Sequence, residues 1–461
     1  MTKKNIFRSL FVALAAVSFG ACTFQQDDLF DESASLRIEN FNEQLKDKLV
    51  KQSTNGNNGW VMQYFTVGTD EEDFEGVNIV ASFEASGKVT LASNHRFMRG
   101  SNAGNYTEST STYDMLKEEG PVLSFNTWND VLTVMVDPVN PLTGARDGEG
   151  MNGDQNLAFK AYDGNSIVFR GERHGAEVRF VPCETSAAAY LTIVEVRKSI
   201  ITSSTLNSYY VTNGDADTLY LTGLNTGLPS YQDRLVEPLE VKPRSCVFTP
   251  YGFRMNRVDS LGGKGFQEFT MSDDKTYLVA NNGITKLIPC WDWYIWDCSS
   301  TWKLDESSFT TEQATLFDQM KTEVKKVNAN FELDSIAIGR TTETVTEGAY
   351  TYQMRYPGLV CCVHGPKKMG RVPQYRPYID MNIDKPEYGV LKFSHSALDR
   401  TTDNMQIFAE TNLQNLCKQF AATIYGTYKM EPDKTFRPTQ ATLTPTGSGN
   451  PILLMLKPIK D

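Results

Sequence analysis

The chain has 461 residues, 40% of them hydrophobic and 11% aromatic, with 33 glycines and a formal net charge of −11. That length suffices for two or three domains, and the composition excludes an intrinsically disordered chain. The acidic balance argues against nucleic acid, whose phosphates call for a basic face; it suits a soluble surface protein or cation binding and chooses between neither.

The N-terminus runs from a basic stretch, Thr2–Arg8, through an apolar run, Leu10–Phe19, to Gly20-Ala21-Cys22. A charged start, a short apolar middle and small residues before a processing point define a secretory signal over residues 1–21. The apolar run is too short for a membrane-spanning helix, which needs about 20 residues. Gly20-Ala21-Cys22 resembles the lipobox of bacterial lipoproteins, with Phe19 in place of the usual leucine. The resemblance implies a diacylglycerol on the Cys22 thiol and cleavage that leaves Cys22 as the first residue. Each buried methylene contributes about 0.8 kcal/mol, so two or three acyl chains would hold the protein on a membrane lipid surface. A plain secreted protein cut after Ala16-Val17-Ser18 is the alternative. Residues 22–32 form a polar tether whose Gln25-Gln26-Asp27-Asp28 resembles the acidic signal that sends Bacteroidetes lipoproteins to the outer face of the outer membrane. An ordinary solvated tether has the same composition.

An amphipathic helix is predicted from Ser33 to Lys51, striped by Ile38, Phe41, Leu45 and Leu49 and stopped by the Asn-Gly run at 55–59. Strands follow at Trp60–Phe65, Asn78–Phe83 and Lys88–Ala92, the last two forming a hairpin around Ser86-Gly87. Further strands are expected near Thr107–Tyr113, Leu157–Tyr162, Ser166–Gly171 and Ala176–Val181, with a short helix over Trp128–Val136. A second helix covers Ser186–Ser203. Strands resume at Ser208–Val211, Thr218–Leu221, Phe253–Val258, Phe266–Thr270 and Tyr277–Val279. A third helix over Thr311–Asn328 opens on a Thr310/Gln313 capping pair. A fourth is marked by Met405, Phe408, Leu416, Phe420 and Ile424 across Thr402–Ile424, and Ile452–Leu456 reads as a strand. The predicted fold class is mostly β (α+β): antiparallel barrel or sandwich-like units with accessory amphipathic helices. Expected divisions fall at 33–185, 186–300 and 301–461. Each long helix precedes a set of strands, which hints at a repeated unit without a residue-level repeat.

Five phrases carry a family resemblance: Asn58-Gly59-Trp60-Val-Met-Gln-Tyr64, the Phe83…Gly87-Lys88-Val89 hairpin, Gly120-Pro121-Val-Leu-Ser-Phe125-Asn126, the glycine-rich Asp147–Asp154 loop before Phe159, and Thr249-Pro250-Tyr251-Gly252-Phe253. Together they resemble a Bacteroidetes family of uncharacterised surface lipoproteins often encoded beside SusC/SusD-type uptake systems. The likeness is densest over residues 30–280. It implies a location and a transporter-complex neighbourhood, and it supplies no catalytic residues.

Eight cysteines occur; with Cys22 lipidated, seven remain: Cys183, Cys246, Cys290, Cys298, Cys361, Cys362 and Cys417. Disulfides are allowed outside the inner membrane, and an odd count leaves at least one thiol unpaired. Cys290 and Cys298 bracket a short segment and form the candidate pair. Cys361 and Cys362, adjacent on a strand, should face opposite sides. Buried thiols are the alternative for all seven.

Signatures of catalysis do not emerge. The four histidines, His95, His174, His364 and His395, form no His-Glu-x-x-His arrangement, and Cys361-Cys362-x-His364 reads as a packed strand rather than a zinc site. A Gly-x-Ser-x-Gly elbow is missing, and Gly365–Arg371 lacks a phosphate-loop ending. The acid run Asp70–Glu75 reads as a solvated connection. The Asp147–Asp154 loop offers oxygen ligands but lacks the closing glutamate of an EF-hand, so no metal or other cofactor is assigned. Three of the six tryptophans lie in Cys290–Cys298. There Trp291, Trp293, Tyr294 and Trp296 make a candidate stacking platform for sugar rings, or else an aromatic hairpin packed between domains.

The resulting expectation is an outer-membrane-anchored surface lipoprotein facing the cell exterior, a non-enzymatic ligand- or partner-binding accessory of glycan uptake. The alternatives are an extracellular glycoside hydrolase using paired carboxylates and a structural or adhesive module.

Overall fold

The computed structural model describes residues 33–457 apart from 55, 70–72, 119, 147, 149, 203–207, 215–218, 233–243, 291–300, 348–349, 367–373, 388, 398–402 and 437. Helix α1 (Ala34–Lys51) is capped by Ser33, whose hydroxyl accepts from the Leu36 N–H at 3.3 Å. Its Leu45 and Leu49 are fully buried, and Phe41 sets its ring 4.9 Å from that of Phe159. Gly59 links the helix to the first strand. Its φ of +84° suits glycine, and a Cβ there would come within 2.4 Å of the Ala81 carbonyl oxygen.

Eight strands follow: β1 (Trp60–Phe65), β2 (Val77–Phe83), β3 (Lys88–Ser93), β4 (Thr107–Lys117), β5 (Pro121–Phe125), β6 (Asn156–Asp163), β7 (Ser166–Gly171) and β8 (Glu177–Pro182). Each pairs antiparallel with the next, and β8 returns to β1, closing a barrel. Along β1 the side chains alternate. Trp60, Met62 and Tyr64 join the barrel's own apolar cluster, while Val61 belongs to the cluster outside it. Phe83, Phe125, Phe169 and Phe180 fill the lumen, with Phe169 and Phe180 4.8 Å apart between ring centres. The short helix expected over Trp128–Val136 is confined to Thr133–Val136. Asn129 takes over the start of that segment, its side-chain oxygen accepting from the Val131 and Leu132 N–H groups in place of a helical turn.

Helix α2 (Ala187–Ile201) leads into a second meander: β9 (Ser208–Thr212), β10 (Leu219–Thr222), β11 (Ser230–Gln232), β12 (Cys246–Phe248), β13 (Gly252–Leu261), β14 (Lys264–Met271), β15 (Leu278–Ala280) and β16 (Lys286–Pro289). The sheet order is β11-β10-β9-β16-β15-β14-β13-β12, the ring of the first barrel opened between β11 and β12. Across that seam the N–H groups of Arg244 and Cys246 donate to the carbonyls of Pro229 and Gly227 at 2.8 and 2.9 Å.

A third set comprises β17 (Thr301–Leu304), β18 (Glu332–Glu347), β19 (Tyr350–His364), β20 (Gln374–Tyr375), β21 (Tyr378–Glu387), β22 (Val390–His395), β23 (Gly426–Pro432), β24 (Gln440–Pro445) and β25 (Ile452–Lys457). Leaving aside the two-residue β20, these also close into an antiparallel ring, with β17 between β18 and β25 and β19 paired to both β18 and β21. Helix α3 (Thr311–Val327) lies between β17 and β18, and α4 (Leu413–Ile424) between β22 and β23. In ring order the third unit is therefore the helix-plus-eight-strand pattern with one strand moved in front of its helix. The expected antiparallel, mostly β architecture is present, and its units are barrels rather than sandwiches.

The Thr310/Gln313 capping box forms with both bonds, at 3.2 and 2.9 Å. The fourth helix differs from expectation. It begins at Leu413, with a separate turn at Asp403–Gln406. Thr411 and Asn412 make the break, the Thr411 hydroxyl donating to the Phe408 carbonyl and the Asn412 N–H donating to Glu323. Met405 and Phe408 stay buried, so the apolar period survives where the helix does not. Cys361 and Cys362 do face opposite sides of β19, Cys361 in the main core and Cys362 in a small cluster with Tyr356 and Tyr378.

Candidate functional site

The first barrel and the second sheet meet along a polar seam. The chain leading into β2 lies beside β12, where the Gly76 N–H donates to the Cys246 carbonyl at 3.1 Å and the Asn78 amide to the Phe248 carbonyl at 2.8 Å. In return, the Ser245 hydroxyl donates to the Phe74 carbonyl at 2.5 Å. Val61, Val80 and Ala92 on the outer barrel wall share an apolar cluster with Tyr190, Leu191 and Val194 of α2. These contacts fix the walls of a cleft of about 310 Å³, lined by Glu75–Asn78, Asn94–Arg96, Gly104, Val194, Glu195, Lys198 and Cys246–Phe248. That volume sits at the lower end of ligand-pocket sizes, roughly 300–1,000 Å³.

Charge in the cleft is balanced. The Glu75 carboxylate lies 2.7 Å from Arg96 and 4.0 Å from Lys198. Gly227 (φ +75°) presses on it from behind, since a Cβ there would lie 2.6 Å from a Glu75 carboxylate oxygen. Lys198 also stands 5.5 Å from the centre of the Phe248 ring. Burial, then the nearby Glu75 charge, pushes the Cys246 thiol well above its ordinary range, so it is no nucleophile at neutral pH.

Two acceptors in this wall lack a donor among the described residues. Burial lowers His95 to a pKa of about 4, so its ring is neutral at pH 7. Its Nε2 stands 2.9 Å from the Val131 carbonyl, which only accepts, so Nε2 carries the proton and Nδ1 is left as a lone-pair acceptor. Asn78 donates its amide N–H to Phe248, which leaves its Oδ1 as the second such acceptor. Both residues are more than nine-tenths buried. Buried polar atoms cost free energy unless they are bonded, so this wall calls for hydrogen-bond donors.

Two other hollows are less suited. One of about 220 Å³ beside Gln63 and Tyr251 also has buried atoms in its lining without a bond among the described residues, Gln63 Oε1 and Arg179 Nε. It is smaller, however, and its carboxylates are taken, Glu268 by Arg179 at 2.6 Å and Glu184 by the Tyr251 hydroxyl at 2.7 Å. The other, about 650 Å³, lies along the exposed side of α1 beside Asp47 and Lys51, and none of its lining residues holds an unbonded buried polar atom among the described residues.

Cys22, Trp291, Trp293, Tyr294, Trp296 and Cys298 lie outside the described residues, while Cys290 is buried just after β16. In the glycine-rich loop, Asp154 is committed to protein. Its carboxylate accepts from the N–H groups of Arg173, His174 and Ala176 at 2.9–3.2 Å. His364 turns to Asp334 at 2.6 Å and Glu332 at 3.4 Å. Among the described residues no group of three His, Cys, Asp or Glu side chains is placed to hold a metal, and no helix is long and apolar enough to cross a membrane.

Sequence reasoning missed Asn78, Lys198 and Cys246 as site residues, because the fold gathers them from β2, α2 and β12. His95 carried a signal as one of four histidines and Cys246 as one of the cysteines, whereas Glu75, read as the end of a solvated acid run, is mostly buried between Arg96 and Lys198.

The molecule is thus a multi-barrel β protein with a preformed polar cleft between its first two units. Residues 26–273 match the family described as a domain of unknown function, DUF4302, and the chain belongs to that family. Every cleft-lining residue falls inside the matched span. No curated protein matches the chain.

Proposed function

We propose that the protein is a lipid-anchored lipoprotein of a Bacteroidetes outer membrane, facing the exterior, and that it binds a hydroxyl-rich ligand, a glycan segment, as a non-catalytic accessory of a SusC/SusD-type uptake system. The observation that carries the binding role is the fixed polar cleft itself, which brings Glu75, Arg96 and Lys198 together with Asn78 and His95, two residues whose buried acceptors Oδ1 and Nδ1 lack a donor among the described residues. Sugar hydroxyls are donors, and the amides, Glu75 and Lys198 around them offer the complementary groups. The non-catalytic role is supported by Glu75, whose carboxylate is engaged by Arg96 at 2.7 Å and Lys198 at 4.0 Å instead of being free to work as one of a glycosidase pair. The anchor is supported by the signal and by Gly20-Ala21-Cys22.

The test is to pass the body of the chain, residues 23–461, over immobilised polysaccharides and host glycans, scoring retention and product release. Retention without release is expected. Release of product would make the protein a hydrolase, and silence in both channels would remove the glycan role. For the anchor, Cys22→Ser should move the protein from the detergent-soluble membrane fraction to the aqueous fraction; unchanged partition would contradict it.

A further inference from the structure

In the third barrel, Cys361 of β19 and Cys417 of α4 lie with their sulfurs 3.1 Å apart, both fully buried. That is only about 1 Å beyond the ~2.05 Å of an S–S bond, a gap that small side-chain rotations close. Cys362, one residue away, points into the separate cluster with Tyr356 and Tyr378 and does not compete for Cys417.

We propose that Cys361 and Cys417 are joined in the mature protein by a disulfide that fastens α4 to β19. Nothing in the family description assigns such a bond. The step is an ordinary oxidation: two thiols lose two protons and two electrons, one S–S bond forms, and a disulfide-bearing oxidant is reduced to two thiols. The oxidant is glutathione disulfide in vitro and a thiol oxidoreductase in an exporting cell. Exchange proceeds through a thiolate. The Cys417 sulfur and burial together hold the Cys361 thiol well above its usual range once α4 is seated. The two cysteines are 56 residues apart, so the crosslink restricts a long loop of the unfolded chain.

The cellular half of this inference rests on the export reading, and the experiment separates the two. Chain refolded in a glutathione redox buffer and chain isolated from exporting cells are each denatured with an alkylating agent, without reductant, and mapped. A linked Cys361–Cys417 peptide pair is expected in both. Separate alkylation of the two in refolded chain overturns the geometric argument. Linkage in refolded chain but not in cell-derived chain also overturns the proposal, and places the fault with export. Reductant should lower the melting temperature of the wild type by roughly 10 °C and leave a C361A/C417A double variant unmoved. Equal sensitivity in both proteins would contradict the bond.

Discussion

The lumen of the first barrel and the cleft on its outer wall are built from the same strands and have opposite character. Inward, Trp60, Phe83, Phe169 and Phe180 are buried ring against ring with Tyr64 fully buried in the same cluster, leaving the barrel a packed core rather than a cup. Outward, on β2 and the loop after β3, Asn78 and His95 are also buried but hold acceptors without donors among the described residues. A barrel of this size has two places to put a ligand, and here the inner one is already filled. For the proposed ligand, this leaves the junction with the second unit, where α2 and β12 supply the facing wall.

The largest effect that would sharpen this contrast is in the lumen. Trp60→Ala removes a buried indole and its N–H bond to the Leu49 carbonyl, which ties α1 to the barrel. A loss of about 3–5 kcal/mol is expected in chemical denaturation. A loss below 1 kcal/mol would mean that the lumen is not the tight core described.

Next comes the pH response of the wall. His95 has its folded pKa lowered to about 4. Between the unfolded value of 6.5 and about 4, the unfolded chain takes up a proton that the folded imidazole refuses. Stability from this group is complete above pH 6.5 and is lost as pH falls through that window, by about 3 kcal/mol. Denaturant titrations at pH 7 and pH 4.5 should show a smaller pH loss in His95→Gln than in wild type. Equal losses would mean that the ring is solvated. The smallest effect is expected at Arg96, half exposed and ion-paired to Glu75. Arg96→Ala should change stability by less than about 1 kcal/mol, and a greater loss would make Arg96 a structural clamp.

Much of the fold was legible where local chemistry decides it. The Ser33 cap, the Thr310/Gln313 box and the turn at Ser86-Gly87 are written in adjacent residues, and the predicted elements stand there. Short strands such as β5, β11, β12 and β16 were not read as strands, because three to five residues carry too little alternation to stand out. The long β18–β19 hairpin escaped as well. The motif phrases proved to be stitching: Gly59 lies against β2, and Trp60 donates to the end of α1. The site itself was hidden. Asn78, Lys198 and Cys246 are far apart in the chain, and only the closing of the barrel and the docking of α2 bring them together.

The most direct test of the account is a glycan-retention assay comparing wild type with Asn94→Trp, which sets an indole into the mouth of the cleft from a half-exposed position. The account predicts that the wild type retains at least one glycan and that Asn94→Trp loses it by tenfold or more with its melting temperature within about 2 °C. Undiminished retention by a folded Asn94→Trp protein would place the ligand elsewhere on the molecule and contradict the assignment of the cleft.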